Sequence, residues 1–245
     1  MEKKIFYPTY NNYNLCGILN NINGEKSITV ICHARTSSKD SRPTTMLSKA
    51  LTKNSINNFR FDFISCGESE GDFKEYTVSN MIKNLEDTLE MLKNNYNYNK
   101  FILVGCSMGG RIVSLIDTNK FNIEKIILWY PALNYRRGIF NIPSKKERKA
   151  KKIGYYVIEK GYKLSYEYFV DERKYRAYKN LNKMDVPILL IHGTKGPYID
   201  YKYSVNISRK CKNSELFLIE NGDHGFHEEN NIKQALDKTI YFIKS

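Results

Sequence analysis

The feature that most constrains the fold is the stretch Phe101–Gly110, which reads FILVGCSMGG. Its first four residues are apolar and predict a buried strand, because short apolar runs with β-branched members suit parallel sheets covered on both faces. The next five residues match the pattern Gly-x-Ser-x-Gly, with Ser107 at the centre. Arg111–Ile116 then predict a helix whose N-terminus faces Ser107. The stretch therefore predicts a sharp turn between a strand and a helix, with a serine at its tip.

A serine at such a turn has a chemical use. It can be pushed up as a nucleophile only if the residues two positions before and after it, Gly105 and Gly109, have no side chains to collide. The N-terminus of the following helix offers free N–H groups to a developing oxyanion. The pattern predicts Ser107 as a catalytic nucleophile. The alternative is a small-residue turn that closes a βα unit, as in nucleotide-binding folds.

Length and composition limit the remaining choices. A chain of 245 residues with 41% hydrophobic and 27% charged residues suits one large α/β domain, or one domain with an insertion. No apolar run resembles a signal peptide or could span a membrane, which predicts a cytoplasmic protein without a membrane partner. Five dispersed cysteines without C-x-x-C spacing predict reduced thiols, with neither a disulfide framework nor a zinc site.

The net charge of +13 would suit a nucleic acid, an anionic membrane surface or an acidic substrate. The densest basic run, Lys145–Lys152, lies outside any recognisable nucleic-acid module. We therefore interpret the charge as a solvated surface and expect no nucleic-acid partner.

Hydrophobic periodicity predicts alternating strands and helices along most of the chain. The predicted strands are Lys4–Tyr7, Leu15–Leu19, Ser27–His33, Asn57–Phe63, Phe101–Val104, Ile123–Tyr130, Val186–His192 and Glu215–Ile219. The predicted helices are Arg42–Leu51, Thr77–Leu92, Arg111–Ile116, Tyr201–Lys210 and Ile232–Ile243. This alternation predicts a doubly wound, mainly parallel sheet with its site in the loops at the carboxyl ends of the strands.

A nucleophilic serine needs a base, and the chain has four histidines. His224 lies in a glycine-bracketed loop after the last strand, where the base follows in the order nucleophile, acid, histidine. His33 and His192 end predicted strands, and we expect each ring to fix its own loop through hydrogen bonds. His227 is expected to face solvent.

Several motifs together resemble an α/β-hydrolase, and more closely the small lidded serine esterases that include bacterial cinnamoyl and feruloyl esterases. They are His33 with its polar loop, residues 61–71 (FDFISCGESEG), Gly105–Gly109, His192-Gly-Thr, and Gly222–Phe226. The resemblance implies an α/β-hydrolase fold, a mainly parallel sheet flanked by helices. The implied core comprises residues 1–133 and 184–245, with a helical lid inserted at 134–183.

The resemblance also assigns roles to residues. It implies Ser107 as nucleophile, His224 as general base, and an oxyanion hole formed by the backbone N–H groups of Met108 and Arg35. Arg35 stands where the family usually has phenylalanine, which brings charge and bulk to the mouth of the pocket.

The more serious departure concerns the acid that orients the base. The family places it four residues after the histidine of His192-Gly-Thr, and here that position is Gly196. Asp200, on the same loop, is one candidate for the acid, and a Ser–His dyad without an acid is another. Asp200 would otherwise cap the helix that begins at Tyr201. Glu220, which ends the last strand, is a remoter option. Asp223 adjoins His224, but the resemblance implies that the aspartate at this position is not the acid.

The expected function is hydrolysis of a carboxylic ester through an acyl-enzyme on Ser107, with no metal or organic cofactor. The expected partner is a small-molecule ester, and the chain is expected to be a monomer or a homodimer. Thioester hydrolysis or acyl transfer is an alternative because all three share the acyl-enzyme. A hydrolase-fold binding protein with weakened catalysis is a further alternative because of Gly196. Tyrosines of the inserted segment either pack a cap or line a pocket, and Arg136 and Arg137 could meet a substrate carboxylate.

Overall fold

The computed structural model describes residues 2–133, 144–196 and 198–245. Within these residues, eight strands form one sheet and two short strands form another. In chain order they are β1 (Glu2–Pro8), β2 (Asn14–Asn20), β3 (Ser27–Cys32), β4 (Asn58–Phe61), β5 (Lys100–Cys106), β6 (Ile123–Trp129), β7 (Tyr155–Val157), β8 (Lys163–Ser165), β9 (Ile188–Gly193) and β10 (Ser214–Ile219). The eight predicted strands are thus confirmed, with ends that move by at most two residues.

The large sheet has the strand order β1-β2-β4-β3-β5-β6-β9-β10. β2 runs antiparallel to both β1 and β4, and every other neighbouring pair is parallel. The prediction of a mainly parallel sheet is confirmed. β3 and β5 lie at its centre, so the loop after β3 and the turn that carries Ser107 emerge side by side.

Helices cover both faces of this sheet. In chain order they are α1 (Arg42–Lys53), α2 (Val78–Tyr96), α3 (Met108–Val113), α4 (Ser144–Ile153), α5 (Tyr166–Glu172), α6 (Ala177–Leu181), α7 (Lys202–Ser208) and α8 (Glu229–Lys244). Apolar residues of α1 and α8 belong to one buried cluster, and those of α2, α3 and α7 belong to the other. The fold therefore has three layers, in which each face of the sheet is shielded from water.

The helix α2 shows how sequence signals set an element. Five apolar residues at helical spacing are all buried against the sheet, namely Val78, Met81, Leu85, Leu89 and Leu92. The Thr77 side chain accepts a hydrogen bond from the N–H of Asn80, which satisfies one of the free donors of the first turn. At the other end, Asn97 adopts a left-handed conformation with φ 62° and ends the helix.

The segment between β6 and β9 departs from the prediction of a purely helical insertion. Its described part, residues 144–183, contains α4, α5 and α6, but β7 and β8 also pair there as an antiparallel hairpin. The expectation of no strand is wrong, because strands of three residues are too short to show an alternating pattern. Residues 134–143, including Arg136 and Arg137, lie outside the described residues.

The described residues contain neither a membrane-spanning helix nor a cluster of metal-ligating side chains. No helix there is long and apolar enough to cross a bilayer. No group of three or more histidine, cysteine, aspartate or glutamate side chains there could hold a metal ion.

Candidate active site

Ser107 occupies a strained turn between β5 and α3. Its φ of 50° lies in the left-handed region, which a residue with a side chain rarely adopts. A Cβ on Gly105 would stand 2.5 Å from the carbonyl oxygen of Gly109, and one on Gly109 would stand 2.2 Å from that of Cys32. The turn therefore requires glycine on both sides of Ser107, as the sequence pattern predicts.

His224 reaches this serine from the loop after β10. Its Nε2 lies 3.2 Å from the Oγ of Ser107, within hydrogen-bonding distance. The loop is tied to the one after β9, because the N–H of Lys195 donates to the carbonyl of Gly222 at 2.8 Å. A Cβ on Gly193 would stand 2.1 Å from the same carbonyl oxygen, so the two loops are in direct contact.

The other ring nitrogen of His224 is buried and has no hydrogen-bond partner among the described residues. Burial of the ring lowers its pKa to about 4, helped by His192 and His227 and opposed by Asp223. The imidazole is therefore neutral at neutral pH, as a general base must be. Among the described residues, Nδ1 has no acceptor for its N–H. The tautomer that leaves Nε2 free to take the proton of Ser107 is therefore not selected by a hydrogen bond.

None of the carboxylates of Asp200, Asp223 and Glu220 accepts a hydrogen bond from the Nδ1 of His224 within the described residues. The Asp200 carboxylate is exposed and accepts a hydrogen bond from the N–H of Lys202, the first residue of α7, at 2.9 Å. The Asp223 carboxylate accepts bonds from the backbone and the ring of His227. Neither these nor Glu220 hydrogen-bonds the Nδ1 of His224 in the described part of the chain.

Gly196 lies beside His224, where the acid would be expected. A Cβ built on it would stand 3.6 Å from the backbone nitrogen of His224 and 3.7 Å from its Cβ, which are ordinary van der Waals distances. The site thus has room for a side chain at this position. The absent carboxylate is a property of the sequence and not of crowding.

The contacts of Asp200 give a direct test of its role. The expectation that Asp200 caps a helix beginning at Tyr201 is wrong, because α7 begins at Lys202 and Tyr201 is at its N-cap position. Asp200→Asn should change kcat by less than about threefold, because the asparagine Oδ1 can accept the same hydrogen bond from the N–H of Lys202. Asp200→Ala should lower the free energy of unfolding by about 1 kcal/mol through loss of this bond. Ester hydrolysis and urea unfolding of both variants check this. A fall in kcat of about a hundredfold in Asp200→Asn would instead make Asp200 the acid.

The two groups expected to bind an oxyanion come from neighbouring elements. Met108 is the first residue of α3, so its N–H has no acceptor within the helix. The contact of Gly109 with the end of β3 brings the loop that carries Arg35 against this helix end. The Arg35 side chain itself is almost fully buried and forms a bidentate pair with Glu159 of the inserted segment, with donor–acceptor distances of 3.1 and 3.2 Å.

His33 bonds to its own loop, as expected, but also to the segment after β4, and His192 bonds to its own loop and to α7. The Nε2 of His33 accepts the N–H of Phe63 at 3.1 Å, and its Nδ1 lies 2.7 Å from the carbonyl of Ala34. The Nδ1 of His192 lies 2.8 Å from the Oγ of Ser204. Both rings are buried, and burial lowers the pKa of His33 and His192.

Two tyrosines that the sequence did not single out contact the ring of His224. The ring of Tyr130 packs on the ring of His224 with centroids 4.7 Å apart, and that of Tyr198 does so at 5.7 Å. Tyr130 directly follows β6, and Tyr198 lies in the loop after β9. An aromatic residue just beyond a buried strand at the carboxyl edge of the sheet is the signal that could have identified Tyr130. Tyr198 lies five residues past the end of β9 and carries no such signal.

Cys106, the neighbour of Ser107, is not a competing nucleophile. Its side chain is buried, and burial raises the pKa of its thiol to about 12. The thiolate, which is the reactive form, is therefore scarce at neutral pH.

The order of the sheet, the turn between β5 and α3 and the helices on both faces define an α/β-hydrolase. The model of the family described as serine aminopeptidase, S33, matches residues 24–163, which is more than half of the chain. The chain belongs to this family. The matched region includes Arg35 and Ser107 and ends before Gly196 and His224.

Solved structures with the same fold cover nearly the whole chain. Est1E from Butyrivibrio proteoclasticus, solved with ferulic acid bound, is 20% identical with a TM-score of 0.81, over 98% of this chain and 97% of that one. The mouse alpha/beta hydrolase domain-containing protein 10 is 17% identical with a TM-score of 0.78, over 99% and 98%. The Pyrococcus furiosus esterase Pf2001 is 20% identical with a TM-score of 0.75, over 100% and 92%. Such identities establish the fold alone, and no curated protein matches the chain.

Proposed function

We propose that this protein is a serine hydrolase that cleaves a carboxylic ester through an acyl-enzyme on Ser107. His224 removes the proton of Ser107, and the oxygen attacks the ester carbonyl. The backbone N–H groups of Met108 and Arg35 stabilise the oxyanion, and the protonated His224 gives its proton to the departing alcohol. Water then releases the acid by the same steps. The observation that carries the proposal is the 3.2 Å contact between Ser107 Oγ and His224 Nε2 at the strained turn.

Among the described residues no carboxylate bonds the Nδ1 of His224, and this favours esters over amides as substrates. A base with a pKa lowered to about 4 activates Ser107 only weakly. Ester and thioester carbonyls are more electrophilic than amide carbonyls and have better leaving groups, so they react with a weaker nucleophile. Structural relatives that are named as esterases agree with this choice. Thioester hydrolysis and acyl transfer use the same acyl-enzyme and remain alternatives.

A fluorophosphonate probe and a small activated ester test the proposal together. We expect the probe to label one serine, Ser107, and p-nitrophenyl acetate to be hydrolysed with saturation kinetics. Peptide mapping of the labelled protein identifies the site. Labelling at Cys106, or neither labelling nor turnover in a folded protein, would contradict a serine hydrolase.

The second candidate function is a hydrolase-fold protein that binds a small ligand without efficient turnover. The observation that favours it is the buried Nδ1 of His224, which has no partner in the described residues. This function predicts no labelling by the probe, whereas a weak Ser–His dyad is still labelled. The same experiment therefore separates the two.

We further propose that residues 134–183 form a lid over the site. Three contacts of its described part support this. Arg35 pairs with Glu159, the Asp171 carboxylate accepts bonds from the backbone and hydroxyl of Ser79, and the ring of Tyr168 stacks near that of Tyr76. The first contact joins the segment to the loop that supplies one oxyanion donor. The fully buried Tyr168 favours packing as the role of at least this tyrosine.

A further inference from the structure

The ring of His224 lies between two tyrosine rings that come from different loops. The ring planes of Tyr130 and His224 are inclined by 59° at a centroid separation of 4.7 Å. Those of Tyr198 and His224 are inclined by 72° at 5.7 Å. Both separations fall in the range in which aromatic pairs attract each other beyond their burial.

This packing matters because, within the described residues, the ring has a single hydrogen bond, the 3.2 Å contact of Nε2 with Ser107. The Nδ1 of His224 has no partner among the described residues, so no bond to it opposes rotation about the Cβ–Cγ axis. Rotation by half a turn would present a ring carbon to Ser107 in place of Nε2. A general base must keep its nitrogen within about 3.2 Å of the oxygen whose proton it removes. Something other than an acid has to restrict the ring.

We propose that Tyr130 and Tyr198 are positioning residues that hold the ring of His224 toward Ser107 in place of a carboxylate. The inference rests on the proposed function, since positioning has a purpose only if His224 acts as the base. The two rings supply orientation alone. They accept no hydrogen bond from the N–H of Nδ1. Unlike a carboxylate, they therefore neither select the tautomer nor stabilise the positive charge of the imidazolium.

The two tyrosines are held differently. Tyr130 is buried, its backbone N–H donates to the carbonyl of Ile191 at 2.7 Å, and its ring packs on Phe226 at 4.9 Å. Its hydroxyl also hydrogen-bonds with the Cys106 thiol. Tyr198 is 48% exposed, so its truncation leaves no cavity in the core. Tyr198 is therefore the residue to vary without loss of folding.

The first experiment measures hydrolysis of p-nitrophenyl acetate by Tyr198→Ala and Tyr198→Phe. The alanine variant should lose about tenfold in kcat with KM nearly unchanged, because a displacement of about 1 Å at a catalytic group costs up to about 10²-fold. The phenylalanine variant keeps the ring and should retain the wild-type kcat. Tyr241→Ala is the matched control, because Tyr241 of α8 is 68% exposed. This variant should keep the wild-type kcat. A wild-type kcat in Tyr198→Ala, or equal losses in the alanine and phenylalanine variants, would overturn the inference.

The second experiment repeats Tyr198→Ala in a Gly196→Asp background. A carboxylate on Nδ1 would orient the ring by itself, so the loss caused by Tyr198→Ala should become smaller than in the wild type. Such coupling is expected of residues that act on one group. An equal loss in both backgrounds would mean that Tyr198 acts on something other than the orientation of His224.

The third measurement does not depend on catalysis. Nuclear relaxation of 13C-labelled histidine rings should show a rigid His224 ring in the wild type and in Tyr198→Phe, and a mobile one in Tyr198→Ala. The signal is assigned by its absence from His224→Ala. A rigid ring in Tyr198→Ala contradicts positioning by Tyr198. If instead the ring loosens while the wild type neither hydrolyses esters nor reacts with the probe, the proposed function fails and the positioning stands.

Discussion

Replacing Ser107 by alanine should lower kcat for p-nitrophenyl acetate by about 10²-fold and abolish labelling by a fluorophosphonate. The size follows from the missing acid. In a complete triad, loss of the serine lowers kcat by about 10⁶-fold, whereas loss of the acid alone lowers it by about 10⁴-fold. A Ser–His dyad already lacks the contribution of about 10⁴ from the acid. Removal of Ser107 from a dyad therefore costs only the remaining factor of about 10² in kcat. The oxyanion hole and substrate binding account for the residual rate.

The matched control for this variant is Ser114→Ala. Ser114 is buried directly after α3, and its hydroxyl donates to the carbonyl of Gly110 at 2.6 Å, so it is a serine of the same region without a catalytic role. It should keep both the label and kcat. If Ser107→Ala is still labelled, Ser107 is not the nucleophile. If Ser114→Ala loses the label too, the loss in Ser107→Ala reflects a disturbed turn, and peptide mapping of the labelled wild type then decides whether Ser107 carries the label.

Gly196→Asp should raise kcat by about 10- to 100-fold. A well-placed aspartate contributes a factor of about 10⁴ in a triad. The expected gain is smaller because a carboxylate at position 196 would not be placed as accurately as in a natural triad. The substitution is sterically mild. Gly196 has no positive φ, and its Cβ would meet His224 at distances of 3.6 and 3.7 Å.

Gly196→Asn is the matched control, because it has the same size and shape without the negative charge. It should not reproduce the gain, since an amide does not stabilise an imidazolium. Gly196→Asp with His224→Ala should also lose the gain. A similar increase in the asparagine variant, or an increase that survives the loss of His224, would exclude a restored acid as its cause.

The pH dependence of kcat/KM gives an independent signature of the same change. Burial lowers the pKa of His224 to about 4, so kcat/KM of the wild type should fall only as the pH drops toward about 4. The groups that act on this titration are His192 and His227, which lower the pKa, and Asp223, which raises it. An aspartate at position 196 favours the charged ring, so it raises the pKa and moves the acidic limb to higher pH. A limb that stays in place would show that the new carboxylate does not reach Nδ1.

Much of the fold could be predicted from local signals. The strand Phe101–Val104, the glycines around Ser107 and the apolar face of α2 each follow from periodicity or from steric limits that act within a few residues. The hairpin of β7 and β8 escaped prediction because its strands have three residues each. Helix α3 begins at Met108, three residues before the predicted start, because Gly109 and Gly110 weaken the helical pattern without preventing the helix.

The candidate site also has features that the sequence determines and others that depend on the tertiary structure. The sequence by itself determined the turn with its serine, the order of the motifs and the absence of a carboxylate at position 196. Only the tertiary structure brought His224 within 3.2 Å of Ser107, turned the Asp200 carboxylate to the N–H of Lys202, and packed Tyr130 and Tyr198 on the ring. The physical reason is range. Turns and helices are set by neighbours in the chain, whereas these contacts join loops after different strands, and the pairing of those strands in the sheet determines which side chains meet.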